Sequence, residues 1–307
     1  MNTRKISVII NTFVFCTVLF TMPACQSGPE PSDIQNWVIG TSASRLMDYS
    51  QEDFIQLKQI GFDCVEMGLR GLDIDNITDS TYAVCTSIYE NATSAGVNIW
   101  SIHIPYGWSW DISNPDETER NEIIERLKNL FTISEYLKPE KLVIHGSFEP
   151  VPDDEREQRL SACRESLMLL GDDASRYGAQ LVIECLPRTC LGNSSHEILA
   201  LIEGIESISV CCDVNHLLTE TPQEFISRVG PRVTTLHISD YDGLDEKHWL
   251  PGEGIIDWNS VLESLVGAGY SGPFMFECAG TPQEKMQTWN KMKNDYLTFA
   301  ETEKSGK

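Results

Sequence analysis

Residues 141–185 read "KLVIHGSFEPVPDDEREQRLSACRESLMLLGDDASRYGAQLVIEC". The segment opens and closes on short apolar runs, "KLVIHG" (141–146) and "AQLVIEC" (179–185), with a long amphipathic stretch between them. A short apolar run is a strand, a stretch with apolar residues at helical spacing is a helix, and the order makes one β/α/β unit. The apolar runs are nearly continuous rather than alternating, so the sheet they build is covered on both faces.

The same rhythm holds along most of the chain. Strand candidates are "WVIGTSA" (37–43), "CVEMGL" (64–69), "VNIWSIHI" (97–104), "KLVIHG", "AQLVIEC", "ISVCCDV" (208–214), "VTTLHIS" (233–239) and "PFMFEC" (273–278). Helical patterns separate them. In "QEDFIQLKQIG", Phe54, Ile55, Leu57 and Ile60 form one stripe before a terminating Gly61, and "NEIIERLKNLFTISEYL" carries a similar stripe. Eight such units over about 270 residues predict an α/β protein with a single (β/α)8 TIM barrel of eight parallel strands. The competing open, doubly wound sheet lacks its hallmark, since no Gly-rich phosphate turn follows the first strand.

The chain has 307 residues, enough for one large domain, and its 23 Lys and Arg face 46 Asp and Glu for a formal charge of -23. That field repels polyanions, so no nucleic-acid partner is expected. Residues 1–24 join Arg4 and Lys5 to an apolar stretch and a small residue before Cys25, the layout of a bacterial export signal. "TMPAC" resembles a lipoprotein cleavage site, with Cys25 as the lipidated residue and 25–36 as a polar tether before a barrel over 37–303. This reading places the protein in the bacterial cell envelope, anchored to a membrane through its lipid. Without the leader's two cations the formal charge is -25. Eight cysteines remain after Cys16 and Cys25, and most fall in apolar strand-like runs, which reads as core thiols rather than a disulfide framework.

In a barrel of this type the chemistry lies where the strands end. Near the ends of the second to eighth strand candidates stand Glu66, His103, His145, Glu184, Asp213, His237 and Glu277. Burying several carboxylates at one rim without a cation costs several kcal/mol each, a penalty that a bound divalent metal removes. Glu184, Asp213, His237 and Glu277 are the ligand set this reasoning selects, oxygen-rich and suited to Mn, Mg, Co or Zn with room for substrate oxygens. His216 in "DVNH" lies just beyond a strand end, positioned for substrate or a second metal. The run "HISDYDGLDEKHWLPGEGIIDW" (237–258) reads as a catalytic-rim loop that brings His248 over the pocket, after which Ile255, Ile256 and Trp258 begin the packing of the last helix.

Taken together, "LVIEC", "CCDVNH", "TLHISDYDG", "HWLPGEGIIDW" and "FMFEC" resemble the xylose isomerase-like barrel superfamily over residues 37–300. This is the sugar phosphate isomerase/epimerase group, related to endonuclease IV. The resemblance implies a single-metal site on Glu184, Asp213, His237 and Glu277, with His216 contacting substrate. It also implies the endonuclease branch's further metal-binding histidines at His103, His145, His216 and His248, with Glu246 where that branch has Asp. Where the ketose 3-epimerase branch carries a substrate Glu and Arg, this chain has Cys190 and Gly243. Arg188 is the candidate substitute, and the departure shifts the expected substrate toward a related keto-sugar or glycoside.

The resulting expectation is a metal-dependent sugar isomerase or epimerase. Glu184 and Glu277 act as acid and base through a metal-stabilised enediolate, while His216, His103, His145, His248, Glu66 and Arg188 contact the substrate. A keto-glycoside lyase or deglycosylating enzyme shares the site. A phosphodiesterase of the endonuclease type and a non-catalytic sugar-binding lipoprotein are the remaining alternatives. No Gly-rich cradle or basic cluster at the strand ends supports a phosphorylated sugar.

Overall fold

A computed structural model describes residues 31–43 and 48–305 of the chain. The export signal and Cys25 lie outside the described residues. Eight parallel strands alternate with helices: β1 (Ile39–Ser42), α1 (Gln51–Ile60), β2 (Cys64–Gly68), α2 (Asp79–Ala95), β3 (Asn98–His103), α3 (Glu117–Phe131), α4 (Ser134–Leu137), β4 (Lys141–His145), α5 (Arg156–Arg176), β5 (Gln180–Glu184), α6 (Ser195–Ile202), β6 (Ser209–Asp213), α7 (Pro222–Val229), β7 (Val233–His237), α8 (Trp258–Gly267), β8 (Phe274–Phe276) and α9 (Pro282–Ser305). Each strand pairs with its sequence neighbours and β1 also pairs with β8. A bridge between Ile238 and Phe276 completes the ring, with the Ile238 amide donating to the Met275 carbonyl and the Glu277 amide to that of Ile238. The TIM barrel expected from the apolar rhythm is the observed fold.

Local chemistry accounts for the element ends. Ser50 and Asp53 form a reciprocal capping box that starts α1, and Gly61 ends it at φ 118°, a left-handed conformation open to glycine. Thr221 and Glu224 cap α7 in the same way, with Pro222 in its first turn. The helix expected over 121–137 starts earlier, at the Asp116 cap, and breaks at Thr132 into α3 and α4.

Two layers of apolar packing follow from the two-residue strand period. Outward residues such as Leu142, Ile144, Leu181, Ile183, Val210 and Cys212 join the large core beneath the helices, whereas Val143, Val182 and Cys211 form a separate small cluster. Val143, Val182 and Cys211 stand two residues before His145, Glu184 and Asp213, so the next inward position on each strand is a site residue. All eight cysteines among the described residues are free, and seven are buried, as core thiols require.

Two expectations need correction. Within the expected tether, Pro31–Asn36 form a 3-10 helix and Ile34 is fully buried, because an apolar residue in that polar stretch finds the core. Trp258 does open a helix and is buried, but that helix, α8, precedes β8 and α9, and Ile255 beside it is 65 % exposed. Ile255 sits on the β7–α8 loop, where its amide donates to the Tyr241 carbonyl at 3.0 Å.

Candidate metal centre

The ends of β5, β6 and β7 and the residue after β8 bring Glu184, Asp213, His237 and Glu277 together with one donor atom from each within 4.8 Å of the others. His237 Nδ1 lies 2.8 Å from Glu277 Oε2, 3.2 Å from Glu184 Oε1 and 3.8 Å from Asp213 Oδ2. Two strand irregularities set this alignment. On β7 an extra residue between the partners of Val210 and Cys211 puts His237 opposite Asp213. On β3 the same device at Trp100 puts Ser101 opposite Glu66.

A second group joins the first through Glu184, whose Oε2 lies 3.1 Å from His103 Nε2 and 3.2 Å from His145 Nε2. A third consists of His216, Glu246 and His248, with Glu246 Oε2 at 3.5 Å from His216 Nε2 and 3.9 Å from His248 Nε2. Backbone carbonyls orient the rings. His103 Nδ1 donates to Ile104, His216 Nδ1 to Cys185 and His248 Nδ1 to Glu277, which aims each Nε2 into the site. All four metal-ligand candidates and the histidines His103, His145, His216 and His248 share one rim.

Electrostatics at the centre are those of an anion-rich pocket held together by imidazoles. Burial raises Glu184, but His237, His145 and His103 outweigh it and hold its carboxyl well below the usual range. Burial likewise opposes ionisation of Glu277, which the His237 charge and hydrogen bond bring down to about 2. Burial, with Glu184 and Glu277 adding to it, lifts Asp213 to about 6 despite His216. Burial lowers His103, yet the Glu184 hydrogen bond and charge carry it up to about 9. His145, where burial outweighs Glu184, is lowered.

The donor set fits a divalent cation. Asp213 Oδ1 accepts the Asn215 amide at 2.8 Å, but Oδ2 is buried and has no hydrogen-bond partner among the described residues. An unpartnered buried carboxylate oxygen beside two further carboxylates and an imidazole is an oxygen-rich donor set of the kind a divalent cation takes.

Two residues expected at the substrate lie elsewhere. Glu66 is fully buried, lodged behind His237 and under Ser101, because it sits two residues inside the end of β2 and so one pleat deeper than the other strand-end groups. Arg188 does not offer a free guanidinium: it pairs with Glu149, with Asp245 at 2.7 Å and with Glu246 at 2.5 Å. Three carboxylates from two other loops satisfy it, leaving a cross-loop tie.

Two contributors, Tyr106 and Asp240, escaped the sequence reading. Tyr106, 57 % exposed after β3, stacks on His145 at 4.6 Å between ring centroids, and Trp108 two residues on is 82 % exposed. Buried Asp240 accepts hydrogen bonds from the loop that carries Glu246 and His248. The apolar aromatics in "HIPYGWSW" were the available signal for Tyr106.

The chain belongs to the xylose isomerase-like TIM barrel family, whose model matches residues 54–293. Fructoselysine 3-epimerase of Escherichia coli is 26 % identical over 116 residues, covering 35 % of this chain and 42 % of that protein. Across three curated relatives the match spans between 42 % and 63 % of their lengths. A D-tagatose 3-epimerase-like protein superposes with a TM-score of 0.70 at 20 % identity, over 87 % of this chain and 99 % of its own. The 3-keto-D-glucoside 4-epimerase of Escherichia coli superposes at 0.65 with 17 % identity, over 84 % and 98 %. These two likenesses concern the fold.

Proposed function

We propose that the protein is a divalent-metal-dependent isomerase or epimerase of a keto-sugar. The observation that carries this reading is the convergence of Glu184, Asp213, His237 and Glu277 around the unpartnered Asp213 Oδ2. Similarity to a family with sugar epimerases among its relatives and structural neighbours supports it.

When bound by those four residues, a divalent ion supplies Lewis-acid polarisation of the substrate carbonyl. The chain's own residues do the rest. Glu277, with a side chain 28 % exposed, is the carboxylate open to the pocket and takes the proton from the carbon beside the carbonyl. Glu184 moves the proton on the other face, and the contacts of its Oε2 with His103 and His145 give that proton a route. His216 and His248 orient substrate hydroxyls through their Nε2 atoms.

The test is deuterium wash-in. The Mn- or Co-loaded protein is incubated with keto-sugars in D2O and the carbon next to the carbonyl is followed by NMR. Metal-dependent exchange is expected; folded, loaded protein that exchanges no ketose or keto-glycoside would sink the proposal.

A keto-glycoside as substrate is favoured by one feature, the exposed Tyr106 ring seated on His145. An aromatic face at the mouth of a polar pocket suits a second ring. With such a substrate, the same proton removal beside a keto group expels a glycosidic oxygen and makes the enzyme a lyase. Tyr106→Ala should lower kcat/KM for keto-glycosides about tenfold, the order of one aromatic contact, and that for free ketoses much less. Equal losses on both substrate types count against the subsite. Detection of released aglycone separates elimination from epimerisation. A phosphodiesterase finds less support, since Arg188 is already taken by three carboxylates and Lys247, on the loop of Glu246 and His248, pairs with Asp242.

The same reading keeps the enzyme in the cell envelope, tethered through Cys25. Cys25→Ser should move the protein from the detergent to the aqueous phase in a Triton X-114 partition. If the variant stays in the detergent phase, the anchor is not this cysteine.

A further inference from the structure

Beneath the four-residue centre lies a group that its chemistry does not use directly. Glu66 is fully buried, and its ion-pair partner among the described residues is His237, whose Nε2 sits between its two oxygens at 3.0 and 3.1 Å. Ser101 donates its hydroxyl to Glu66 Oε2 at 2.7 Å, a contact made by the extra residue Trp100 in β3. Trp100 is itself pinned across the barrel, its Nε1 donating to Thr235 Oγ1 at 3.1 Å, two residues before His237. The bulge and the histidine thus share one support.

We propose that Glu66 is a positioning residue for His237: it holds the imidazole with its proton on Nε2 and so keeps Nδ1 as the nitrogen that faces the cation site. The tautomer of the loaded ring follows from what each nitrogen faces. A carboxylate accepts and does not donate, so the nitrogen between the two Glu66 oxygens is an N–H. Nδ1 also faces carboxylates, 2.8 Å from Glu277 and 3.2 Å from Glu184, and without a cation it donates to them as well. A cation in the site would take the Nδ1 lone pair in place of that proton, while Nε2–H stays on Glu66. Ser101 holds the same Oε2 with its hydroxyl, which fixes the carboxylate and with it the ring angle. An outer carboxylate on a ligand histidine also raises the ligand's basicity, and losing such a partner typically weakens metal binding about 10–100-fold. Glu66 further brings a fourth negative charge within reach of the site, which favours a divalent over a monovalent cation.

This inference rests on the metal reading above, and its test separates the two. Co(II) is titrated into purified wild-type protein, Glu66→Gln, Ser101→Ala and His237→Ala, with the visible absorption of the bound ion as readout. Circular dichroism of each metal-free protein reports folding. Glu66→Gln keeps the shape and an acceptor for Nε2–H but removes the charge, and it should bind about 10–100-fold more weakly. Ser101→Ala keeps the pair, loosens it, and should lose a smaller factor, which preserves the test if Glu66→Gln folds poorly. In the Zn-loaded wild type, ¹⁵N NMR should show His237 protonated at Nε2, with that proton moving upfield in Glu66→Gln. Wild-type affinity in both Glu66→Gln and Ser101→Ala, alongside weakened His237→Ala, overturns the positioning role and leaves the metal centre standing. A His237 protonated at Nδ1 in the loaded protein does the same. A wild-type protein that binds no Co(II) overturns both.

Discussion

Glu277→Gln should reduce solvent exchange of the substrate proton by about 10³-fold, within the range that a positioned acid or base contributes. The amide retains an oxygen toward the cation site but no longer accepts a proton. The fold should be largely spared, because the Glu277 side chain lies at the pocket surface and loses one ion pair, to His237. Glu184→Gln should lose exchange to the same extent and also lower the melting temperature of the metal-free protein. Its carboxylate is almost fully buried and is the common partner of His103, His145, His216 and His237. Removing one partner of a buried ionic network leaves the others uncompensated, at about 3–5 kcal/mol. Exchange kinetics and a thermal melt on both variants therefore give a split pattern: equal chemical loss, unequal stability loss. Normal exchange in either variant would remove that residue from the acid/base pair.

The split between what the sequence revealed and what it hid follows from strand geometry. Inward residues recur every second position, so a polar residue ending an apolar run lands at the rim whatever the register. His145, Glu184, Asp213 and His237 are each the last residue of their strand, and all four were legible. Glu66 was read as a rim group, but "MG" follows it inside β2 and sinks it by one pleat. The bulge at Trp100 that gives Glu66 its hydroxyl partner depends on pairing between strands, which no single stretch encodes. The ion pairs of Arg188 were hidden for a different reason: its partners Glu149 and Asp245 are 39 and 57 residues away. Loop contacts of that range are set by the fold, not by local pattern. The acidic excess at the rim was visible, though, and an arginine among carboxylates finds them before it finds substrate.

The segment 237–258 carries the other large effect, through a residue that the motif reading passed over. Asp240 is fully buried just past β7. Its Oδ1 accepts the amides of Tyr241 at 2.9 Å and Ile256 at 3.2 Å, and its Oδ2 accepts the Gly252 amide at 2.8 Å and the Trp258 indole at 3.0 Å. Four donors from the start, middle and end of the β7–α8 loop thus close on one carboxylate. Backbone bonds between Asp240 and Trp249 clamp the stem, and the His248 carbonyl accepts the Ala279 amide at 2.7 Å, docking the loop beside Glu277. Gly254 is required at the crossing, since a Cβ there would stand 2.2 Å from both Asp240 Oδ1 and the Tyr241 carbonyl oxygen. Asp240→Ala should cost about 4 kcal/mol, since hydrogen bonds to a charged group contribute about 1.5–3 kcal/mol each and the losses overlap. Asp240→Asn should cost nearly as much despite its shape. Each side of the carboxylate meets two donors, and an amide must turn its NH2 toward one pair of them. Chemical denaturation of the two variants decides the matter: an Asn variant as stable as the wild type would mean that one of the two donor pairs does not depend on Asp240. Because Glu246 and His248 ride on this loop, both variants should also weaken whatever binding the His216, Glu246 and His248 group supports, while the Glu184, Asp213, His237 and Glu277 centre, built on the strand ends, keeps its ligands.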